Sequence, residues 1–126
     1  MTLSRKQARR QALFLLYQWD LSGQEIGSQY DGELDSWARG VAEAVAARAP
    51  ELDARITEAS DGWTANRLGT VERSALRVAI HELDTGEVPM QVAINEAVAF
   101  AKRYSSDTAA KLVNGILGRI QREAGL

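Results

Sequence analysis

The chain has 126 residues, of which 45% are hydrophobic and 25% are charged, and its net charge at pH 7 is −2. This composition is ordinary for one soluble globular domain and excludes a uniformly basic nucleic-acid coat. It contains no cysteine, which excludes disulfides, zinc–thiolate sites and cysteine nucleophiles and fits a reducing cytoplasm. No apolar run approaches the roughly 20 residues of a membrane-spanning helix, and the start lacks the apolar region of a signal peptide. We therefore expect a cytoplasmic protein without membrane contact.

The first predicted helix covers residues 3–22, with Thr2 or Ser4 as its cap. Four cations fall within six residues, without an acid among them, and pair at the i, i+4 spacing of neighbouring helical turns. A tyrosine lies two turns further along nearly the same line. Cations that meet phosphates beside a ring that stacks on a base suit single-stranded RNA, although a solvated helix end explains the charges equally well. The candidates are Arg5, Lys6, Arg9, Arg10 and Tyr17.

The region between residues 20 and 61 is acidic, with ten acids against three arginines. A turn-rich link over residues 21–32 precedes a predicted helix over residues 33–48. Pro50 opens the next predicted helix, which ends at Asp61–Gly62. The acids indicate a solvated surface. Trp37 and Trp63 are expected to be core or near-core anchors, because large aromatic side chains usually bury most of their surface.

Three further helices joined by short turns are predicted between residues 70 and 121. Thr70 is the expected cap of the first, Pro89 the expected first residue of the second, and Ser105–Ser106–Asp107 the expected cap of the third. Apolar residues recur at helical spacing in all three. Because short links force neighbouring helices to fold back on one another, we expect these apolar faces to share one core.

The first and the last of these three helices are each predicted to have a polar face in addition to the apolar one. Arg73, Arg77 and His81 recur every four residues and predict an exposed polar face. His81 is the single histidine, and without cysteines or a carboxylate pair at ligand spacing it is a poor metal or catalytic candidate. A contact on the surface or with a partner is the expected role.

A second basic stripe lies along the last predicted helix. It consists of Lys111, Gly115, Arg119 and Arg122. A glycine inside a helix costs about 1 kcal/mol relative to alanine, which is tolerable where a backbone, a side chain or a ligand approaches closely. Asn114 offers a donor and an acceptor, suited to capping a neighbouring helix or to reading a base edge. Both residues therefore have a structural as well as a functional interpretation.

Two blocks of the sequence resemble the bacterial transcription antitermination family NusB. The first is SRKQARRQALFLLYQWDLSG. The second is LGTVERSALRVAIHEL, followed by VPMQVAINEAVAFAKRYSS and KLVNGILGRI. The blocks keep the family's order and cover nearly the whole chain, although the region from about residue 24 to residue 66 is not diagnostic. Leu112 stands where some members have phenylalanine, which removes one possible stacking surface.

The resemblance implies an all-α fold of two packed three-helix sub-bundles that forms one RNA-binding domain over residues 1–126. It implies a non-catalytic antitermination factor without cofactor or metal. Such factors bind the boxA RNA of nascent ribosomal RNA transcripts together with NusE, a small-subunit ribosomal protein, in the elongation complex of RNA polymerase. Carried over by position, the RNA-binding residues are Arg5, Lys6, Arg9, Arg10, Tyr17 and Lys111, and the partner-binding residues are Glu72 and Leu76. Asn114 joins the RNA-binding candidates because of its side-chain amide.

Two alternatives stay open. The chain could be a helical protein-interaction module or homodimer whose basic patches are merely solvated. It could also be the RNA-targeting domain of a ribosomal-RNA cytosine methyltransferase without its catalytic part. We expect no independent enzyme, because the chain has neither room for a glycine-rich methyl-donor fold nor a cysteine nucleophile. It also shows no phosphate-cradling glycine loop and no catalytic constellation.

Overall fold

A computed structural model describes residues 2–125, and this range contains six α-helices, one 3-10 turn and no strand. The predicted all-α class is therefore confirmed. The helices are α1 (Arg5–Ser22), α2 (Ser36–Ala47), α3 (Ala49–Ala59), α4 (Thr70–Thr85), α5 (Met90–Tyr104) and α6 (Asp107–Glu123), and the turn is Ala65–Arg67. Among these helices, none combines the length and apolarity that crossing a bilayer requires.

Capping side chains explain where three of the helices begin. The Ser4 hydroxyl accepts from the backbone N–H of Gln7 at 3.1 Å, and the Gln7 side chain accepts from the Ser4 backbone N–H at 2.9 Å. This reciprocal pair is a capping box and identifies Ser4 as the cap of α1. Asp35 and Ser106 also cap α2 and α6 with their side chains, so α2 begins at residue 36 and not at residue 33.

Three expected helix starts differ by one residue. Gly69 is the N-cap of α4, and Thr70 is already inside the helix. Pro89 is the N-cap of α5, and Pro50 is the second residue of α3. At the start of α4, the Glu72 carboxylate folds back over Gly69, where a Cβ atom would overlap with it. Glycine thus leaves room for an acid at the positive end of the helix dipole.

Contacts divide the chain into two units, one ending at Arg48 and the other beginning at Ala49. The first unit contains α1 and α2, which pack on each other. The second contains the 3-10 turn and helices α3 to α6. Although the resemblance implied two groups of three helices, α3 contacts α4 and α6 and is therefore grouped with them.

In the first unit, alanines let α1 and α2 approach closely. Ala8, Ala12 and Ala38 form a buried cluster, against which Leu3, Trp37 and Val41 pack. Trp37 is thus the near-core anchor that was expected. The buried amide of Gln11 fixes the segment before α2: it donates to the Tyr30 hydroxyl and the Glu33 carbonyl, both at 3.2 Å, and accepts from the Asp35 N–H at 2.7 Å.

In the second unit, α4 and α6 each contact the other three helices, and α4 contributes the larger number of buried residues. Every residue from 74 to 80 is buried. The polar face predicted for α4 is therefore wrong in part. Arg77 is only 4% exposed and is paired with Asp53 of α3, whereas Arg73 donates to the carbonyls of Ala65 and Leu68. The helical spacing identified the charges but could not show that α3 and the 3-10 turn cover them.

Candidate RNA interface

The four cations at the start of α1 do not form the uniform exposed patch that their spacing predicted. Lys6 is exposed and Arg10 is half-buried. Arg5 is also exposed, and its guanidinium carbon lies 4.1 Å from the centre of the Trp37 ring, a distance that favours a cation–π contact. Arg5 therefore has both a structural contact and access to a ligand.

Arg9 is the exception, because it is only 5% exposed. It lies one turn before the buried Leu13 and beside the buried Ala8, on the side of α1 that is covered. This burial leaves little of Arg9 available to RNA in this conformation, and a direct contact between Arg9 and RNA stays a prediction. Its spacing did not predict the burial. The physical reason is that i, i+4 spacing places Arg9 in line with Arg5 but does not reveal where the covered side of the helix begins.

A hollow of about 230 Å³ lies beside Arg10. Its lining consists of Leu3, Gln7, Arg10, Gln11, Phe14 and Tyr30. Tyr17, the predicted aromatic, is half-buried two turns further along the helix and does not line this hollow. Phe14 follows Arg10 by one turn, so helical spacing could have identified it, whereas Tyr30 lies in a loop whose sequence carries no periodic signal.

The cations of α6 also differ from one another. Lys111 and Arg122 are exposed. Arg119 is held by Glu123 at 2.9 Å and by Asp61. These hydrogen bonds, with Glu123 the larger influence, raise the pKa of the Arg119 guanidinium. Arg119 stays charged, but two carboxylates already neutralise it, so Lys111 and Arg122 supply the more available positive charge of this stripe.

A groove of about 410 Å³ runs between α6 and the segment after α3. Three cations and one acid line it together with apolar side chains. Its lining consists of Ala59, Ser60, Asp61, Trp63, Lys111, Leu112, Gly115, Ile116, Arg119 and Arg122. The expectation that Trp63 is a core or near-core anchor is wrong, because 54% of this residue is exposed. Trp63 follows the left-handed backbone of Asp61 and Gly62, which ends the helical path of α3.

Gly115 faces open space in this groove. A Cβ atom built at residue 115 would meet nothing within 4 Å, so close helix packing does not explain this glycine among the described residues. The adjacent Asn114 is exposed and does not line the groove. Its side chain is positioned neither in the core nor against the groove wall, and it is available to a ligand.

The two predicted partner-binding residues have different surroundings. Glu72 is half-buried in the first turn of α4, with its carboxylate over Gly69. Leu76 is 0% exposed, so it offers no surface to a partner in this conformation, and its contact with a partner stays a prediction. In the sequence, a leucine one helical turn after an acid suggests that both residues lie on the surface. In the structure, α4 is buried from residue 74 to residue 80.

The described residues hold no group of three or more histidine, cysteine, aspartate or glutamate side chains that could bind a metal ion.

Comparisons with known proteins agree with this architecture. The profile of the NusB family matches residues 6–122. A transcription antitermination protein NusB from Rubrobacter xylanophilus is 41% identical over 122 residues, which cover 91% of this chain and 88% of that protein. A homologue of the same name from Salinispora tropica is 36% identical, over 96% of this chain and 97% of its own.

Two solved structures have a fold similar to that of this chain. NusB from T. maritima superposes with a TM-score of 0.84 at 30% identity, over 98% of this chain and 94% of that one. A chain from a crystal structure of the antitermination factors NusB and NusE with double-stranded RNA has a TM-score of 0.81 at 28% identity, over 94% and 96% of the two chains.

Proposed function

This chain belongs to the NusB family, and we propose that it is a transcription antitermination factor that binds the boxA RNA of nascent ribosomal RNA transcripts together with a NusE-type protein. The observation that carries the proposal is the match of nearly the full chain to relatives that are named antitermination proteins. The exposed cations and amide on α1 and α6 supply surfaces with which it can act on RNA.

Phosphate contacts position the RNA in this proposal. Lys6, Arg5 and Arg10 on α1 and Lys111 on α6 meet phosphates. Tyr17 and Asn114 are the proposed base contacts, since a ring stacks on unpaired bases and an amide can hydrogen-bond with a base edge. Arg9 is buried in this conformation, so its predicted contact with RNA requires its side chain to become accessible.

The affinity of the chain for RNA in the absence of a partner should be modest and should decrease as the salt concentration rises. Each phosphate that a cation neutralises contributes a slope of about −0.7 in log K against log salt for single strands, and few cations are available on a chain with net charge −2. A NusE-type partner that adds its own surface would lengthen the footprint. Glu72 is the proposed contact to this partner, and the elongation complex of RNA polymerase is the proposed setting.

The proposed role involves no catalytic step and no cofactor. RNA binding and protein binding are sufficient for a factor that holds a transcript near the polymerase. The proposed site of action is the cytoplasm, where nascent ribosomal transcripts are made.

A binding titration tests this function. Labelled single-stranded boxA RNA and a scrambled RNA of the same composition are titrated with the protein, with and without a NusE-type partner, and fluorescence anisotropy is measured. We expect preferential binding of boxA RNA and tighter binding with the partner. Equal binding of both RNAs under both conditions would contradict the proposal.

A further inference from the structure

We propose that Trp63, Leu112 and Gly115 form a subsite that stacks one unpaired base of a bound RNA, while Lys111 and Arg122 hold the adjoining phosphates. This inference rests on the proposed function and deepens it, because it places a specific base contact in the second unit. Trp63 was expected to be a core anchor, and the family resemblance assigned it no role.

The first supporting observation is that two large apolar side chains of the groove are exposed. Trp63 is 54% exposed and Leu112 is 37% exposed, and both line the same groove. Leaving apolar surface in water forgoes about 25 cal/mol for each Å² that could be buried. A flat aromatic ring beside an aliphatic side chain gains this energy when a planar base covers it, and base–aromatic stacking tolerates any base.

The charges around the ring favour a nucleic acid over an apolar protein helix. Lys111, Arg119 and Arg122 line the groove, with Asp61 as the single acid of the lining. An apolar helix seated here would remove cations from water without compensating charges, which is costly. A polynucleotide supplies both parts of the match, since its base covers the ring and its phosphates face the cations.

Gly115 supplies the space for this base. Gly115 lines the groove, and a Cβ atom built there would meet no neighbouring side chain or other helix within 4 Å. A mid-helix glycine weakens α6 relative to alanine, and an approaching ligand is one physical reason for tolerating it at the groove. The groove volume of about 410 Å³ lies within the range of about 300–1,000 Å³ that is typical of ligand sites.

The experiment combines variants of Trp63 with RNA in which single bases are removed. Trp63→Ala should weaken boxA binding by about 5- to 150-fold, the range expected when one base–aromatic stack is removed. The slope of log K against log salt should stay unchanged, since every cation remains in place. Trp63→Phe should retain most of the affinity. One abasic substitution should weaken wild-type binding but have no further effect on Trp63→Ala.

A glycine pair gives a second test that separates binding from folding. Gly40 in α2 is also exposed, and a Cβ atom there also meets nothing within 4 Å. Gly115→Ala and Gly40→Ala should both shift the midpoint of urea unfolding to a higher urea concentration, because alanine favours helix over glycine. Only Gly115→Ala should weaken RNA binding, because only residue 115 lines the groove. Equal RNA affinity of the two variants would overturn the proposed base position.

The outcomes also separate this inference from the proposed function. If the wild-type protein does not prefer boxA RNA, either alone or with the partner, both the proposed function and the proposed subsite are contradicted. If the wild type binds boxA RNA and Trp63→Ala binds it equally well, the subsite is overturned and the function stands. If Trp63→Ala weakens binding of the NusE-type protein but not of RNA, the groove serves the protein partner and the inference is overturned.

Discussion

Arg77 of α4 donates two hydrogen bonds to Asp53 of α3, at 2.8 and 2.7 Å, from a side chain that is only 5% exposed. The pair crosses the contact between the two helices and joins α3 to the second unit. It also satisfies a charge that would otherwise be buried within the most covered helix of that unit. Stability of the α3–α4 contact should therefore depend on Asp53 more than on any exposed ion pair.

The first prediction concerns this pair. Asp53→Ala should lower the free energy of unfolding by about 3 kcal/mol, because removing one partner leaves the other charge buried and less compensated. Urea unfolding followed by circular dichroism measures the change. Glu43→Ala, which breaks the exposed Arg39–Glu43 pair in α2, is the control and should change stability by less than about 0.5 kcal/mol. Equal effects of the two variants would contradict the assigned role of Asp53.

The second prediction separates the cations of α1. Arg9→Glu should destabilise the fold by about 3–5 kcal/mol, the usual range for disrupting a buried charge, since Arg9 is 5% exposed. Lys6→Glu is a matched charge reversal at an exposed position and should leave stability within about 0.5 kcal/mol. Thermal unfolding distinguishes them. If Arg9→Glu is as stable as the wild type, the Arg9 side chain is accessible and can bind RNA directly.

The third prediction tests the amide that fixes the segment before α2. Gln11→Met keeps a side chain of similar length but leaves the Glu33 carbonyl and the Asp35 N–H without the bonds described above. The free energy of unfolding should fall by about 1–3 kcal/mol. Gln24→Met, at an exposed position, is the control and should have little effect. Hydrogen exchange at Asp35 should accelerate only in the Gln11 variant.

The fourth prediction concerns the two proposed partner residues. Leu76→Ala should destabilise the protein by about 2–5 kcal/mol because it leaves a cavity in the core, and binding of a NusE-type partner should fall only where the protein unfolds. Glu72→Ala should weaken partner binding while most of the fold persists. Calorimetric titration at a temperature where both variants are folded separates the effects. Weaker binding by folded Leu76→Ala alone would reverse the assignment.

Much of the fold could be predicted from the sequence, because the helical spacing of apolar residues and the capping residues Ser4 and Ser106 are local signals. The all-α class and the three helices after residue 70 followed from these signals. The 3-10 turn did not, since three residues carry no periodicity. The cap of α4 was misplaced by one residue, because Gly69 occupies the N-cap position without a side-chain cap.

The candidate site was predicted less completely, because charge pattern alone does not reveal which side of a helix is covered. Lys6 and Lys111 were expected at the surface and are exposed there. Arg9 and Leu76 are buried, which helical spacing did not indicate, and their direct contacts with RNA and with a partner stay predictions. Trp63 was misassigned in the opposite sense: its type favours burial, while the left-handed turn before it places it at a groove.

Charge reversal at the exposed lysines tests the central claim most directly. Lys6→Glu and Lys111→Glu, singly and together, are compared with Lys102→Glu, an exposed lysine of α5, in boxA binding across a salt series. We predict that each reversal at a proposed contact weakens binding and reduces the magnitude of the salt slope by about 0.7 for every phosphate that is no longer neutralised. The Lys102 variant should retain nearly all of its affinity. Equal affinities and slopes for all variants would contradict the claim that α1 and α6 hold the transcript.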